Sequence, residues 1–420
     1  MRKNQFIAIG DVFDKLSFFC LIFTLFFLPI YNSYTSIGIG LALFFFLIRI
    51  LFHFKQRQMF GLNVFLYAFF LVAVISLFYT VDSRESLIGL RKLTMQMVLY
   101  LACINCFNTR KRVSWTIFFF IFSAFVVSLD GFYQFMTNLD WFSARSVITY
   151  PEWGIKRITA SFHEAGALGI YLGTAVSSSW ALVFFSDWTI RRKVLLGCVA
   201  LLITLALILT LAPGAAFGII AAFLFYVGYV KGWKKLFYLL PLTALSFFLL
   251  PRAAIGSFLT TIYGRLYMWK VGLKIIIDHP FLGSGLRTFP VKYQQLCPPG
   301  YPFYREGAPY AHNMYIQMIS ELGLIGFIFF GLFLLKVFSS LVMLSRKTKD
   351  PLQKAFILAF LGALITYLTH GCLESSFYTS QGGLLFWFIV GILVSLELIN
   401  KKPFSEGRIM MNRHEKKLIY

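Results

Sequence analysis

A histidine and an arginine lie in one long polar segment, residues 252–313, of a chain that is otherwise mostly apolar. His312 stands near the end of this segment, and a histidine with an unperturbed pKa of about 6.5 accepts a proton at neutral pH. Arg265 lies earlier, and a guanidinium binds phosphate oxygens through two parallel hydrogen bonds. These residue types fit proton transfer and phosphate binding. The simpler alternatives are a His312 bonded to a loop carbonyl and an Arg265 that snorkels to lipid headgroups.

Polar side chains continue from His312 into the apolar helix that follows. Asn313, Gln317 and Glu321 recur at every fourth position, so they share one face of that helix. Polar side chains at membrane depth usually face the bundle interior or a wet cavity. Asn313 is also suited to cap the helix by accepting hydrogen bonds from its free amides.

The composition indicates an all-α polytopic membrane protein. Of its 420 residues, 59% are hydrophobic and 13% are charged, whereas about 25% of the residues of a soluble domain are charged. A membrane span needs about 20 mostly apolar residues. The twelve predicted spans lie near 12–31, 36–54, 60–80, 87–107, 113–136, 163–186, 193–211, 214–230, 235–251, 314–344, 353–372 and 381–400.

Lysine and arginine are concentrated in alternate loops. One set of loops holds the clusters Arg110–Arg112, Arg191–Lys193 and Arg346–Lys349, and both termini join this set. The short loops of the other set are poor in Lys and Arg. Cytoplasmic loops carry the excess of positive charge. We therefore predict that both termini are cytoplasmic and that residues 252–313 face the outside.

The outer segment is nevertheless rich in cations, against this topological bias. The cytoplasmic loops account for most of the net charge of +22, but cations outside need another explanation, which an anionic ligand would supply. We expect no nucleic-acid partner, because no basic domain stands outside the membrane part. The cations of the segment are Arg252, Arg265, Lys270, Lys274, Arg287, Lys292 and Arg305.

Local patterns predict how the outer segment folds. Ile262–Ile277 has the periodicity of a helix lying at the membrane interface, with Arg265 away from its apolar face. Pro280 ends that helix, since proline cannot continue the hydrogen-bond ladder, and Gly283–Gly285 marks a turn. The apolar face comprises Leu266, Trp269, Leu273 and Ile276.

Other chemistries have little support. The chain has neither of the glycine-rich motifs that bind nucleotides, and no convincing set of metal ligands surrounds His163–Glu164 or His370 and Glu374. We expect neither a metal nor a cofactor. Cys297 and Cys372 are the two cysteines expected outside the cytoplasm, where an oxidising compartment permits a disulfide, although spacing cannot show that they are close.

Several motifs of the outer segment and of the helix after it resemble the O-antigen ligase and polymerase superfamily, which comprises bacterial inner-membrane enzymes of the GT-C class. The motifs are Arg265–Gly272 (RLYMWKVG), His279–Gly285 (HPFLGSG), His312–Gln317 (HNMYIQ) and Glu321–Gly326 (ELGLIG). The resemblance is specific over about 252–330. The twelve-span layout, with its large outer loop late in the chain, extends the resemblance across the whole chain. Arg157–Phe162 also resembles a pattern of the family, but more weakly.

The resemblance implies a metal-independent transfer of glycan from a polyprenyl diphosphate carrier. His312 matches the histidine proposed as general base in this family, and Arg265 matches the arginine proposed to hold the diphosphate. One position departs from the pattern: where the family has a Ser-Arg-Gly-like motif at the outer start of the eighth span, Pro213 stands in place of the arginine. Proline cannot bind phosphate. Either Arg157, Arg252 or Arg287 substitutes, or catalysis is weakened or lost.

We therefore predict a multi-pass glycosyltransferase of the bacterial inner membrane with a periplasmic active site. It would pass a glycan from undecaprenyl diphosphate or a similar carrier to an acceptor hydroxyl in lipopolysaccharide or polysaccharide biosynthesis. Residues 1–403 would form one membrane domain, with 252–313 as its catalytic loop, and residues 404–420 a polar cytoplasmic tail. The catalytic candidates are His312 and Arg265, and the substrate-binding candidates are Arg157, Arg252, Arg287, Arg305, Asn313 and Gln317.

Three alternatives remain open from the sequence. A ligase passes the glycan to lipid A core or another acceptor, whereas a polymerase of the same superfamily passes it to another lipid-linked repeat unit. A flippase for lipid-linked sugars is the alternative of another class, and it would show charged residues inside several spans or inverted repeats with broken helices. A non-catalytic relative is the third, which Pro213 keeps open. Nothing in the sequence indicates the oligomeric state.

Overall fold

A computed structural model of the chain describes residues 2–52, 64–150, 154–232, 252–297, 300 and 310–401. Its helices are α1 (Arg2–Phe27), α2 (Asn32–Phe52), α3 (Val64–Ile75), α4 (Ser83–Cys106), α5 (Arg110–Thr137), α6 (Ala165–Phe185), α7 (Ile190–Leu209), α8 (Pro213–Lys231), α9 (Arg252–Asp278), α10 (Phe289–Leu296), α11 (Met314–Lys347), α12 (Pro351–His370) and α13 (Ser380–Lys401). The strands are β1 (Ile148–Tyr150) and β2 (Ile155–Arg157), and 3₁₀ turns cover Ser76–Phe78 and Ser376–Tyr378.

The described helices confirm an all-α polytopic class. Nine of them are long and apolar enough to cross a membrane, namely α2, α4–α8 and α11–α13. The first predicted span falls on α1, and the third falls on the shorter apolar helix Val64–Phe78. The ninth, at 235–251, and the tail at 404–420 lie outside the described residues.

The core of the bundle is formed by α6, α12 and α13. α12 packs against α6 and α8, and α13 packs against α4. Large side chains such as Tyr171, Tyr367 and Trp387 are fully buried there. In contrast, α7 exposes Leu195, Leu201 and other apolar side chains, as expected of a helix at the lipid boundary.

Side-chain caps fix the ends of the helices around the outer segment. Asn313 Oδ1 accepts from the backbone amides of Tyr315 and Ile316, each at 3.0 Å, which confirms the predicted cap of α11. Asp82 caps α4 by accepting from Glu85 N at 2.9 Å. These bonds satisfy amide groups that have no partner inside the helix.

Helix α9 ends at Asp278, as predicted from Pro280, but it begins at Arg252, ten residues before the predicted helix. The predicted placement of Arg265 with the exposed polar residues is wrong. Arg265 is only 6% exposed and lies on the buried face with Met268 and Ile275, whereas Lys270 is exposed. The reason is the ion pair of Arg265 with Glu374, because the periodicity of one helix cannot show a partner from a distant part of the chain.

Helix α11 is interrupted at Gly323, which has φ 66° and ψ −178°. The predicted turn at Gly283–Gly285 packs into this break, and Leu324 N donates to Pro280 O at 2.9 Å. A Cβ on Gly323 would lie 2.1 Å from Phe281 O, and one on Gly283 would lie 2.4 Å from Glu321 O. The glycines therefore allow the segment after α9 to dock directly on the backbone of a membrane helix.

A two-stranded antiparallel hairpin, β1–β2, lies in the loop between α5 and α6, with Ile148 opposite Arg157. The sequence indicated only an irregular segment there. Ile158 N donates to Leu209 O at 3.1 Å, so the hairpin is joined to the end of α7.

Cys297 and Cys372 are both free thiols. Cys297 is buried, and its Sγ lies 3.2 Å from the hydroxyl of Tyr267. The disulfide that the sequence left open is therefore absent between these two described residues.

Candidate active site

The carboxylate of Glu374 joins His312 to Arg265. Its Oε2 lies 2.8 Å from His312 Nδ1, and its Oε1 forms an ion pair with Arg265 Nη2. The exposed fractions of the three side chains are 28% for His312, 15% for Glu374 and 7% for Arg265. His312 and Arg265, the residues predicted from the sequence to transfer a proton and to bind phosphate, therefore share one carboxylate.

The loop that carries His312 is fixed on both sides of it. Ala311 N donates to Gln317 Oε1 at 3.1 Å, and Asn313 N donates to Ser375 Oγ at 3.2 Å. His312 itself has a φ of 50°, a left-handed conformation that residues with a Cβ hold only when their surroundings impose it. Such conformations concentrate at functional sites.

Glu374 is ionised at neutral pH. Burial raises its pKa, but the hydrogen bond from His312 and the charge of Arg265 outweigh burial and lower the pKa to about 2. An ionised carboxylate can only accept hydrogen bonds. Nδ1 of His312 must therefore be the protonated nitrogen, and Nε2 of the neutral ring is left as an acceptor.

Arg265 has hydrogen-bonding capacity left over after its contact with Glu374. Its Nε and Nη1 are buried and have no partner among the described residues. Burial lowers the pKa of Arg265, while Glu374 raises it and the charge of Arg157 lowers it, but a guanidinium stays protonated in proteins. Its free donors suit an oxyanion such as a phosphate.

Arg157 lies near Pro213, the position at which the motif resemblance described above would have an arginine. It is the last residue of β2, and its Nε donates to Thr210 O at 2.7 Å, directly before the turn Leu211–Gly214 that begins α8. Its positive charge lowers the pKa of Arg265. The hairpin thus brings a cation to the start of α8, beside Pro213.

His370, at the end of α12, lies against Gly214 in the same region. It is only 1% exposed, and both ring nitrogens lack a partner within the described part of the chain. No local pattern in the sequence predicts that His370 lies beside the start of α8.

Gln317 and Glu321 form the predicted polar face of α11, and both are buried. Gln317 Nε2 donates to Glu321 Oε1 at 3.1 Å, and Glu321 Oε2 accepts from Arg287 N at 2.8 Å. Arg287 Nε forms an ion pair with Glu85 at 2.9 Å. Arg287 therefore belongs to a second polar group, distinct from the contacts of Glu374.

The predicted site residues thus lie in separate groups. His312 and Arg265 come together on Glu374, Arg157 lies against Thr210 before the start of α8, and Arg287 and Gln317 lie with Glu321. Asn313 joins the loop to the turn after α12, since its Nδ2 donates to Cys372 O at 2.9 Å. The side chain of Arg252 and all of Arg305 lie outside the described residues.

Sequence reasoning missed Glu374 as a functional residue. Its position in a loop expected outside the membrane is the one local signal for such a role, and Glu374 was considered only as a possible metal ligand with His370. Across the residues that the structure describes, no three His, Cys, Asp or Glu side chains form a group that could hold a metal ion.

One protein family matches this part of the chain. The family model described as "Wzy_C: O-Antigen ligase" matches residues 163–331. The match includes Arg265 and His312, whereas Arg157 and Glu374 lie before and after it. No curated protein matches the sequence.

Proposed function

We propose that this chain, a member of the O-antigen ligase and polymerase superfamily by its match over residues 163–331, is a glycosyltransferase. Its donor would be a glycan linked to a polyprenyl diphosphate, and its acceptor a hydroxyl of a second glycan. The reaction would take place at the outer face of the bacterial inner membrane, with both termini in the cytoplasm. The alternation of cationic loops supports this orientation.

The observation that carries the proposal is the contact of Glu374 with both His312 and Arg265. A carboxylate that accepts from Nδ1 holds the imidazole in one tautomer and orientation, and it stabilises the imidazolium that forms when Nε2 takes a proton. The same carboxylate orients the guanidinium. A merely interfacial histidine or a snorkelling arginine would not require this shared partner.

In the proposed step, His312 Nε2 removes the proton of the acceptor hydroxyl as its oxygen attacks the anomeric carbon of the donor. The new carbon–oxygen bond forms while the bond to the diphosphate oxygen breaks, and the electron pair leaves with the diphosphate. Attack opposite the leaving group inverts the anomeric configuration. Diphosphate leaves readily, so no strong protein acid and no metal ion are required.

Arg265 would bind the leaving diphosphate through the buried Nε and Nη1. Charge develops on the diphosphate as the bond breaks, and donors held in a site shielded from water stabilise that charge strongly. Arg157 would supply the second cation in place of the arginine that Pro213 replaces. Its contact with Thr210 O beside that turn supports Arg157 over Arg287, which pairs with Glu85.

Substitution of His312 by alanine tests this function. In a null strain, His312→Ala should accumulate in the membrane at the wild-type level, because the side chain is partly exposed and contributes little packing. Glycan transfer should fall by roughly 10²–10⁴-fold, the usual contribution of a general base, and the lipid-linked donor should accumulate. Normal transfer at normal protein levels would rule out the catalytic role.

A reporter that works only outside the cytoplasm tests the orientation separately. It should be active when fused after Tyr301 and inactive after Lys347. Activity after Lys347 would place the site on the wrong side of the membrane.

A further inference from the structure

A polar cavity of about 220 Å³ adjoins the loop that carries His312. It lies between α4, the turn before α10, the start of α11 and the 3₁₀ turn Ser376–Tyr378. We call it the Lys92 cavity. Binding pockets for drug-sized ligands measure about 300–1,000 Å³, so this one suits a phosphoryl group or a sugar phosphate. Its polar lining includes Lys92, Gln96, Arg287, Tyr310, Gln317 and Tyr378.

Lys92 places an ammonium group within a membrane helix. Helix α4 begins at Ser83 and rises about 1.5 Å per residue, so Lys92 lies more than two turns inside it. One N–H of Lys92 Nζ donates to Tyr378 O, and an ammonium has two more donors. No carboxylate of the described residues forms an ion pair with it. A cation at membrane depth is costly without a partner, and an anionic ligand would supply one.

The two nearby carboxylates make their hydrogen bonds and ion pairs to groups other than Lys92, although the charge of Glu321 acts on Lys92. Glu85 pairs with Arg287 Nε, and Glu321 accepts from the backbone amides of Arg287 and Phe289 and from Gln317. Neither of these acidic residues lines the Lys92 cavity.

The cavity wall itself presents donors. The hydroxyl of Tyr378 is buried and has no partner among the described residues, so it can donate to a ligand together with Lys92 and Arg287. Two cations, a free hydroxyl and no carboxylate make a site for an anion.

The Lys92 cavity is also connected to the candidate base. Tyr310 lines it and precedes His312 by two residues, and Gln317 lines it and accepts from Ala311 N. An anion bound there would therefore hold its molecule beside the His312 loop. Arg265 and Arg157 are occupied by the donor diphosphate in the proposed reaction, so this anion belongs to a second molecule.

We propose that the Lys92 cavity binds a phosphoryl group of the acceptor glycolipid and so presents the acceptor hydroxyl to His312. This inference rests on the proposed function for the identity of the ligand. The existence of an anion site in the Lys92 cavity does not depend on the proposed function, and it can be tested without measuring glycan transfer.

Binding of inorganic diphosphate tests the site. Protein with Arg265→Met, which disables the donor site, is placed in nanodiscs of zwitterionic lipid, and its unfolding temperature is measured as diphosphate is added, since a ligand of the folded state raises that temperature. Diphosphate should still stabilise this protein. Adding Lys92→Met should weaken that binding by about tenfold or more, and Lys92→Arg should retain it.

Arg91→Met is the matched control, because Arg91 is an exposed cation on the same helix and does not line the cavity. It should leave diphosphate binding unchanged. Equal losses with Lys92→Met and Arg91→Met, or no binding at all in the Arg265→Met protein, would overturn the anion site. Because no transfer is measured, these results are independent of the proposed function.

Two further arms identify the source of the phosphoryl group. With phosphatidylglycerol in the nanodiscs the diphosphate effect should persist, and its loss would assign the cavity to a lipid headgroup instead. In the transfer assay on an otherwise wild-type protein, Lys92→Met should raise the KM for acceptor about tenfold and leave the KM for donor within twofold. An equal rise in both would contradict an acceptor site.

Discussion

His312 and Arg265 contact opposite oxygens of the same carboxylate, that of Glu374. The two residues come from different elements, the loop before α11 and the middle of α9. Their common partner lies after α12. The proposed base and the proposed phosphate-binding cation are thereby held in a fixed relation, as a reaction that moves a proton and releases a diphosphate in one step requires.

Arg265→Lys should reduce glycan transfer by at least about tenfold. A lysine supplies one point charge and cannot reach both Glu374 and the diphosphate with a planar fork. A merely snorkelling arginine would tolerate lysine, which snorkels equally well. Initial rates at equal membrane levels decide between the two roles.

Lys270→Arg is the control for that change, because Lys270 is an exposed cation on the same helix. Its rate should match the wild type. Full activity of Arg265→Lys would reduce Arg265 to a membrane anchor.

Arg157→Ala should raise the KM for the lipid-linked donor by about tenfold or more, since a hydrogen bond to a charged group contributes about 1.5–3 kcal/mol. Arg287→Ala should leave the KM for the donor within about twofold. Lys156→Ala is the matched control, because neighbouring residues of a strand point to opposite faces and Lys156 lies over the ring of Phe135. A normal donor KM for Arg157→Ala would show that Arg157 does not replace the missing arginine.

The sequence predicted the class of fold and two candidate site residues because those features are local. Apolar runs predicted the nine described helices that are able to cross a membrane, Pro280 predicted the end of α9, and Asn313 predicted the cap of α11. His312 and Arg265 became candidates by residue type, local pattern and family motif.

The remaining features depend on contacts between distant parts of the chain. Glu374 acquires its proposed role only because α12 ends beside the His312 loop, and Arg157 acquires its proposed role only because its hairpin docks on the end of α7. Burial of Arg265 follows from its pairing with Glu374. None of these contacts leaves a periodic signal in the sequence.

Gly323→Ala should destabilise the protein. Gly323 has a positive φ, and a Cβ there would lie 2.1 Å from Phe281 O, so the substitution adds a clash to a strained conformation that alone costs about 1–3 kcal/mol. The unfolding temperature of the purified protein should fall.

Gly331→Ala is the matched control on the same helix, because a Cβ at Gly331 meets nothing within 4 Å. It should be neutral or slightly stabilising, since alanine favours helix. Equal unfolding temperatures for the two variants would contradict the docking of the Gly283–Gly285 turn on α11.

The pH dependence of transfer reports on the link between Glu374 and His312. The pKa of Glu374 is lowered to about 2, below its ordinary value. The stability that its contacts provide is therefore present above about pH 4.5 and is lost only as the pH falls towards 2. Glu374 stays ionised throughout a transfer assay near neutral pH. A fall in activity between neutral pH and about pH 4.5 would therefore not come from protonation of Glu374.

Glu374→Gln, assayed for glycan transfer as a function of pH, tests the central claim most directly. Removing the negative charge beside the imidazole makes its protonated form less favourable, so the acid limb of the profile should move to lower pH while the maximal rate falls by at least about tenfold. Glu374→Asp should recover part of the rate. An acid limb that stays at the wild-type pH, with the maximal rate unchanged, would contradict the assignment of His312 as a base held by Glu374.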